Sequence, residues 1–235
     1  MSSLTTPTPA GARLVRVEGW ARDEDGERLH GLLWRAGPGW RMVSSAVLGG
    51  GIAERAWVLN AQVAHGYRRM DPAAHLAALA RTAGAEGAGV GMMTAADVRG
   101  FAHGADEGAE ALVTAGLGVT GWAASPARGY SGPPPAGTIN IIGCVPVPLS
   151  DAALVNAVAT VTEAKVQALL DAGHDCSGTP TDAVCVAAPV PGAGRETQAF
   201  AGPRSVWGAR LARAVHRAVL TAALPPALPR SRSGV

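Results

Sequence analysis

A strand–helix–strand series in the C-terminal half constrains the fold more than any other feature of the chain. An apolar run, TINIIGCVPV (138–147), leads to Ser150 and then to an unbroken helical pattern over 151–172, which Gly173 ends. A serine at the N-cap accepts from the first orphan N–H groups, and glycine just past the last turn adopts the left-handed conformation that stops a helix. A second apolar run, AVCVAAP (183–189), follows. A Gly-Thr turn opens each run, in AGTINIIGC (136–144) and CSGTPTDAVCVA (176–187). Such turns expose N–H groups and hydroxyls at strand ends, where ligands sit in α/β domains.

The rest of the chain reads as strands with two further helices. Strands are expected at 13–20, 28–35, 41–48, 55–63, 90–94, 98–103 and 110–124. Asp71 and Pro72 open a helix that Gly84 ends, and another runs from Pro203 to about Ala223. The fold class is therefore α/β or α+β, a single domain over 13–224 with a mixed β-sheet layered with helices in two or three layers. Residues 1–12 and 225–235 read as disordered tails, and 131–137 (SGPPPAG) as a stiff loop.

Charge narrows the partners. Lys and Arg number 20 against 18 Asp and Glu, and Arg230 and Arg232 supply the whole excess. A neutral body argues against nucleic acid or an anionic membrane as partner. No apolar run reaches the ~18 residues of a spanning helix, and MSSLTTPTPAGA lacks the basic and apolar regions of a secretory signal. A cytoplasmic chain is expected, with Cys144, Cys176 and Cys185 as reduced thiols. No CxxC or HExxH spacing occurs, so no metal site is expected. Homo-oligomerisation stays open.

Only one of the 20 basic residues is a lysine, Lys165. A helical wheel sets it among Leu154, Val158, Val161 and Leu169, on the apolar face of the 151–172 helix. Either it snorkels from the edge of that face, or it is buried, paired with a carboxylate, and faces the main cleft. Glu163 falls on another face with Asn156, Thr160 and Gln167, which is either solvated or a cleft wall. Asp182 follows Thr179 and Thr181 and reads equally as an Asx-turn or a general base. Gly49, Gly50 and Gly51 form a third close-approach turn, after Ser45. Met92, Met93, Thr94 and Asp97 close another strand. Arg210, Arg213 and Arg217 share a face of the last helix that reads as solvated, with Trp207, Leu211 and Val215 opposite.

Taken in order, SSAVLGGG (44–51), DPAAHLAALA (71–80), GMMTAADV (91–98), VTAGLGVT (113–120), GTINII (137–142), TEAKVQALLD (162–171) and GTPTDAV (178–184) resemble the motif series of adenosylcobinamide amidohydrolases. FAGPRSVWGARLARAVHRAV (200–219) is similar to that family's C-terminal segment. The series spans about 40–220; Val119-Thr120 and Pro180 depart from the family pattern. The resemblance implies a hydrolase of corrinoid salvage, cleaving adenosylcobinamide to adenosylcobyric acid and aminopropanol, with the corrinoid as substrate and no cofactor.

Amide hydrolysis needs an activated water or nucleophile, a donor for the oxyanion, and an acid for the leaving amine. The expected catalytic set is Glu163 or Asp182 to activate water, Lys165 for positive charge, and Asn140 and Thr179 as donors. Ser45, Gly49, Gly50, Gly51, Thr94, Asp97, Thr138 and Thr181 are expected to bind substrate. Three alternatives remain: a self-cleaving hydrolase with Thr138 as its N-terminal nucleophile, a corrinoid-binding or small-molecule-binding protein without activity, and an unrelated amidase that shares the fold.

Overall fold

Strand β9 (Gly137–Cys144) is buried along its whole length, so both of its faces must be covered. Ile139 and Ile141 point one way, into a cluster with Leu154, Val161 and Leu169. Ile142 and Cys144 point the other way, into a cluster with Leu32, Val58, Val90 and Met92. This alternation follows from the two-residue period of a strand. The computed structural model describes residues 13–126, 137–192 and 194–224. The tails expected over 1–12 and 225–235, and the 131–137 loop apart from Gly137, lie outside the described residues.

Two sheets stack face to face. The first has the order β1 (Val17–Glu24), β2 (Glu27–Arg35), β5 (Trp57–Gln62), β6 (Gly89–Thr94). The second runs β4 (Gly51–Glu54), β3 (Trp40–Ser44), β10 (Ala183–Pro189), β9, β8 (Ala109–Leu117), β7 (Ala102–Asp106). Both sheets are mixed: β5 lies parallel to β6 and β9 parallel to β10, while the other pairings are antiparallel. Helix α1 (Pro72–Thr82) covers the outer face of the first sheet, burying Leu76 and Leu79 against Leu33 and Leu59. Helices α2 (Asp151–Asp171) and α3 (Val206–Ala223) cover the second sheet.

The α/β class holds, in four layers rather than the expected two or three. A strand buried on both faces reads as a continuous apolar run whether a helix or a second sheet covers it, so periodicity cannot count layers. Several boundaries also shift. The first strand covers Val17–Glu24 instead of 13–20, and the 110–124 strand stops at Leu117. Residues 98–103 are a 3-10 turn (Val98–Gly100) and the start of β7.

Capping fixes the helix starts. The Ser150 hydroxyl accepts from Ala153 N at 3.1 Å, as expected. Helix α3 starts at Val206 and not at Pro203, because the Ser205 hydroxyl accepts from Gly208 N. Asp71 stands at the α1 N-cap without capping it, since its carboxylate takes a two-pronged ion pair from Arg69. No helix among the described residues is long and apolar enough to cross a membrane.

Candidate active site

At one end of the sandwich the layer between the sheets opens into a cavity of about 590 Å³. The C-terminal ends of β3, β5 and β6 and the N-terminal ends of β9 and β10 converge there. Val47, Val63, Tyr67, Met92, Met93 and Pro180 give it apolar walls. Ser45, Tyr67, Arg68, Thr94, Thr138, Thr181 and Asp182 bring polar groups to it. Ligand pockets commonly combine these features: mostly apolar walls and a few placed polar groups.

Four of the expected substrate-binding residues therefore line the cavity: Ser45, Thr94, Thr138 and Thr181. The glycine turn does not. Gly49 has φ +71, and a Cβ there would meet the Gly89 carbonyl oxygen at 2.0 Å. The turn thus serves the close approach of the β3–β4 connection to β6, where Leu48 pairs with Gly91. Gly50 and Gly51 complete the same turn outside the cavity lining. Asp97 is also absent from the lining. It caps the 3-10 turn through Arg99 N, and the Arg99 guanidinium holds its carboxyl below the usual range.

Lys165 is 7% exposed and bonded to Asp182. Two parts of the expectation for it are met, burial and a carboxylate partner. The third is not: Asp182 lines the cavity and Lys165 lies behind it. Asp182 Oδ1 also accepts from Ile139 N at 2.9 Å and from the Thr179 hydroxyl, and Thr179 N reaches both carboxylate oxygens. A carboxylate offers about four lone-pair sites. Four donors, with Thr179 N shared between the two oxygens, match those sites and leave Asp182 none with which to take a proton from water. Gly178 makes this packing possible, since a Cβ there would lie 2.2 Å from Asp182 Oδ2 and 2.6 Å from Lys165 Nζ.

Asn140 is likewise committed. Its Nδ2 hydrogens go to Asn60 Oδ1 at 2.8 Å and Met93 O at 3.1 Å, and Asn60 Nδ2 donates to Thr114 Oγ1. This buried chain ties the two sheets together directly below the cavity. It leaves Asn140 no proton for an oxyanion, and leaves its Oδ1 as a buried acceptor without a partner. Thr138 and Thr181 pair at 2.6 Å, and Thr181 donates to Gly137 O, so Thr138 donates to Thr181.

Glu163 sits elsewhere. It is exposed in a groove between α2 and α3 with Gln167, Arg213 and His216. Being two residues from Lys165 on a helix turns it ~200° away, so it cannot share a site with that residue. The α3 arginines are paired rather than merely solvated: Arg213 and Arg217 bind Asp106, and Arg210 binds Glu107. The Arg210 guanidinium also lies over the Trp207 ring at 4.6 Å, as i,i+3 neighbours on one face, where opposite faces were expected.

One cluster escaped the sequence reading. His75, on α1, is buried; its Nε2 lies 3.0 Å from Glu24 Oε1, and its Nδ1 3.0 Å from the Tyr67 hydroxyl. Arg22 Nε bonds Glu24 Oε2 at 2.6 Å. Burial pushes the His75 imidazole below its ordinary value and the Tyr67 phenol above its own. The available signal was the same as for Lys165: one titratable residue within the apolar stripe of a helix. Among the described residues, no group of three His, Cys, Asp or Glu side chains is placed to hold a metal ion. All three cysteines are free and buried.

A family model described as adenosylcobinamide amidohydrolase matches residues 17–226. A protein of Methanosarcina mazei, named adenosylcobinamide amidohydrolase, is 36% identical over 161 residues, which cover 68% of this chain and 72% of that protein.

Proposed function

The chain belongs to the adenosylcobinamide amidohydrolase family, and from that membership we infer that it hydrolyses adenosylcobinamide. Water and the amide joining the aminopropanol arm to the corrin side chain give adenosylcobyric acid and aminopropanol. The reaction as written needs no redox cofactor. The observation that carries this reading is the match over residues 17–226.

The cavity suits the substrate. A corrin is a broad disc fringed with amides and is larger than the cavity, so its reacting arm enters while the ring rests at the mouth. Apolar walls fit the ring edge, and Ser45, Thr138 and Thr181 offer partners to amides. Thr94 Oγ1 already accepts from Ala96 N at 3.0 Å, so its hydroxyl proton is free to reach substrate. Lys165, Asp182 and Thr179 act as the frame that fixes the Gly178 turn against β9.

A second reading rests on Thr138, whose hydroxyl lines the cavity at the start of β9. Cleavage before it would expose an amine able to activate it. A denaturing gel decides: two fragments support that route, and one full-length band removes it. The main test is incubation of the purified protein with adenosylcobinamide, followed by mass analysis. Adenosylcobyric acid and aminopropanol are expected in equal amounts; binding without release would make the protein a corrinoid carrier.

A further inference from the structure

With Asp182 and Asn140 committed to the frame, the other side chains among the described residues of the cleft wall include no carboxylate or imidazole to move the proton of water. The Glu24–His75–Tyr67 cluster has the geometry that this task requires. An activated group next to a base, with the base oriented by a third group, is the general form of a catalytic triad. Here the oxygen of Tyr67 is 3.0 Å from His75 Nδ1, and His75 Nε2 is 3.0 Å from Glu24.

Glu24 decides the tautomer. A carboxylate only accepts, so His75 carries its proton on Nε2 and presents the Nδ1 lone pair to Tyr67. Tyr67 therefore donates its phenolic proton to His75, which leaves its oxygen lone pairs unused. Stacking of the Tyr67 and His75 rings, 10° from parallel, holds this alignment. Arg22 holds Glu24 from the far side, with its Nη2 fixed to Gln62 O at 2.8 Å. Tyr67 itself lines the cavity, so the chain of groups runs from the C-terminal end of β1 to the cleft wall.

We propose that Tyr67 is the catalytic acid–base of amide hydrolysis, with His75 and Glu24 as its positioning and proton-holding residues. The proposal rests on the amidohydrolase reading. Tyr67 Oη takes a proton from the attacking water while its own proton passes to His75 Nδ1. The water oxygen bonds to the amide carbon, and the carbonyl electron pair moves onto its oxygen. Collapse restores the carbonyl and breaks the C–N bond. The proton held on His75 returns through Tyr67 to the leaving nitrogen. Amide and water thus yield acid and amine, with the relay back in its starting state.

Charged groups around the relay come from two elements. Arg22 and Glu24 face it from β1, and Arg69 and Asp71 from the segment that leads into α1. Glu24 and Asp71 favour protonated His75, while Arg22 and Arg69 oppose it.

The test compares wild type, Tyr67→Phe, His75→Gln and Glu24→Gln on adenosylcobinamide, with kcat, KM and thermal melting for each. Phenylalanine preserves the half-buried ring, so Tyr67→Phe is expected to fold, to keep KM within a few-fold, and to lose kcat by about a hundredfold or more. His75→Gln is expected to lose kcat to a similar degree. Wild-type kcat should fall as acid protonates His75, and Glu24→Gln should move that limb to lower pH, which a purely structural role would not do. Full kcat in Tyr67→Phe, a loss confined to KM, or an unmoved limb overturns the relay and leaves the amidohydrolase reading standing. No turnover by wild type overturns both.

Discussion

Asp182 and Glu24 each anchor a charged cluster that reaches the cleft, and the two clusters differ in what their hydrogen bonds leave free. Around Asp182 every acceptor site is taken, by Lys165, Thr179 and the β9 backbone. Around Glu24 the bonds run in one direction, through His75 to a phenol whose oxygen still has lone pairs. A closed network stiffens a fold; an open-ended one can pass a proton. The sole lysine therefore belongs to the framework. The histidine on the opposite side of the molecule holds the end that can react.

Removing Lys165 should produce the largest effect and put this contrast at risk. Lys165→Met leaves the mostly buried Asp182 without its cation, at a cost of about 3 kcal/mol. Thermal and denaturant melting should show that loss, with residual turnover in the fraction that stays folded. Unchanged stability together with abolished turnover would break the contrast and make the lysine a chemical group.

A smaller effect should appear in the pH dependence of stability. His75 has a folded value below its unfolded one, so the unfolded chain binds the proton more readily. The contribution is therefore complete above the unfolded value of ~6.5 and is lost as pH falls from there through the lower folded value. Melting of wild type and His75→Gln from pH 8 to pH 5 should diverge at the neutral end and converge in acid.

The smallest effect should come from a pair whose cation is half exposed and whose carboxylate has a second arginine. Arg213→Ala breaks the ion pair with Asp106, whose carboxyl Arg213 holds below its usual range. Arg213 is half exposed, so the loss should stay under about 1 kcal/mol and shrink further in salt. A larger loss would show that neither the exposure of the cation nor the second arginine, Arg217, separates this pair from that of Lys165 and Asp182.

Much of the cleft could be read from the chain. The Gly-Thr turns placed Thr138, Thr181 and Asp182 at strand starts, and all three line the cavity. The helical wheel put Lys165 on an apolar face and left snorkelling and burial open; the structure buries it. Glu163 and Asp97 lie outside the cavity lining for a shared reason: neighbours along the chain need not be neighbours in space. A helix turns such neighbours onto different faces, and a local arginine removes an exposed aspartate from the pool of free carboxylates. His75 escaped because its partners stand 51 residues before it, on β1, and in the loop ahead of α1.

Residue order alone determined a mixed helix-and-sheet class, the three helices and their stops, the place of Lys165 on an apolar helix face, and the motif series that resembles the family. These follow from short-range rules, the 3.6- and 2-residue periods and the capping preferences, which act within a few residues. Tertiary structure alone decided that two sheets stack, that Asp182 is saturated, and that Glu24, His75 and Tyr67 meet. Those outcomes depend on contacts between segments far apart in sequence, where the count of hydrogen bonds at each oxygen, and not residue type, separates framework from chemistry.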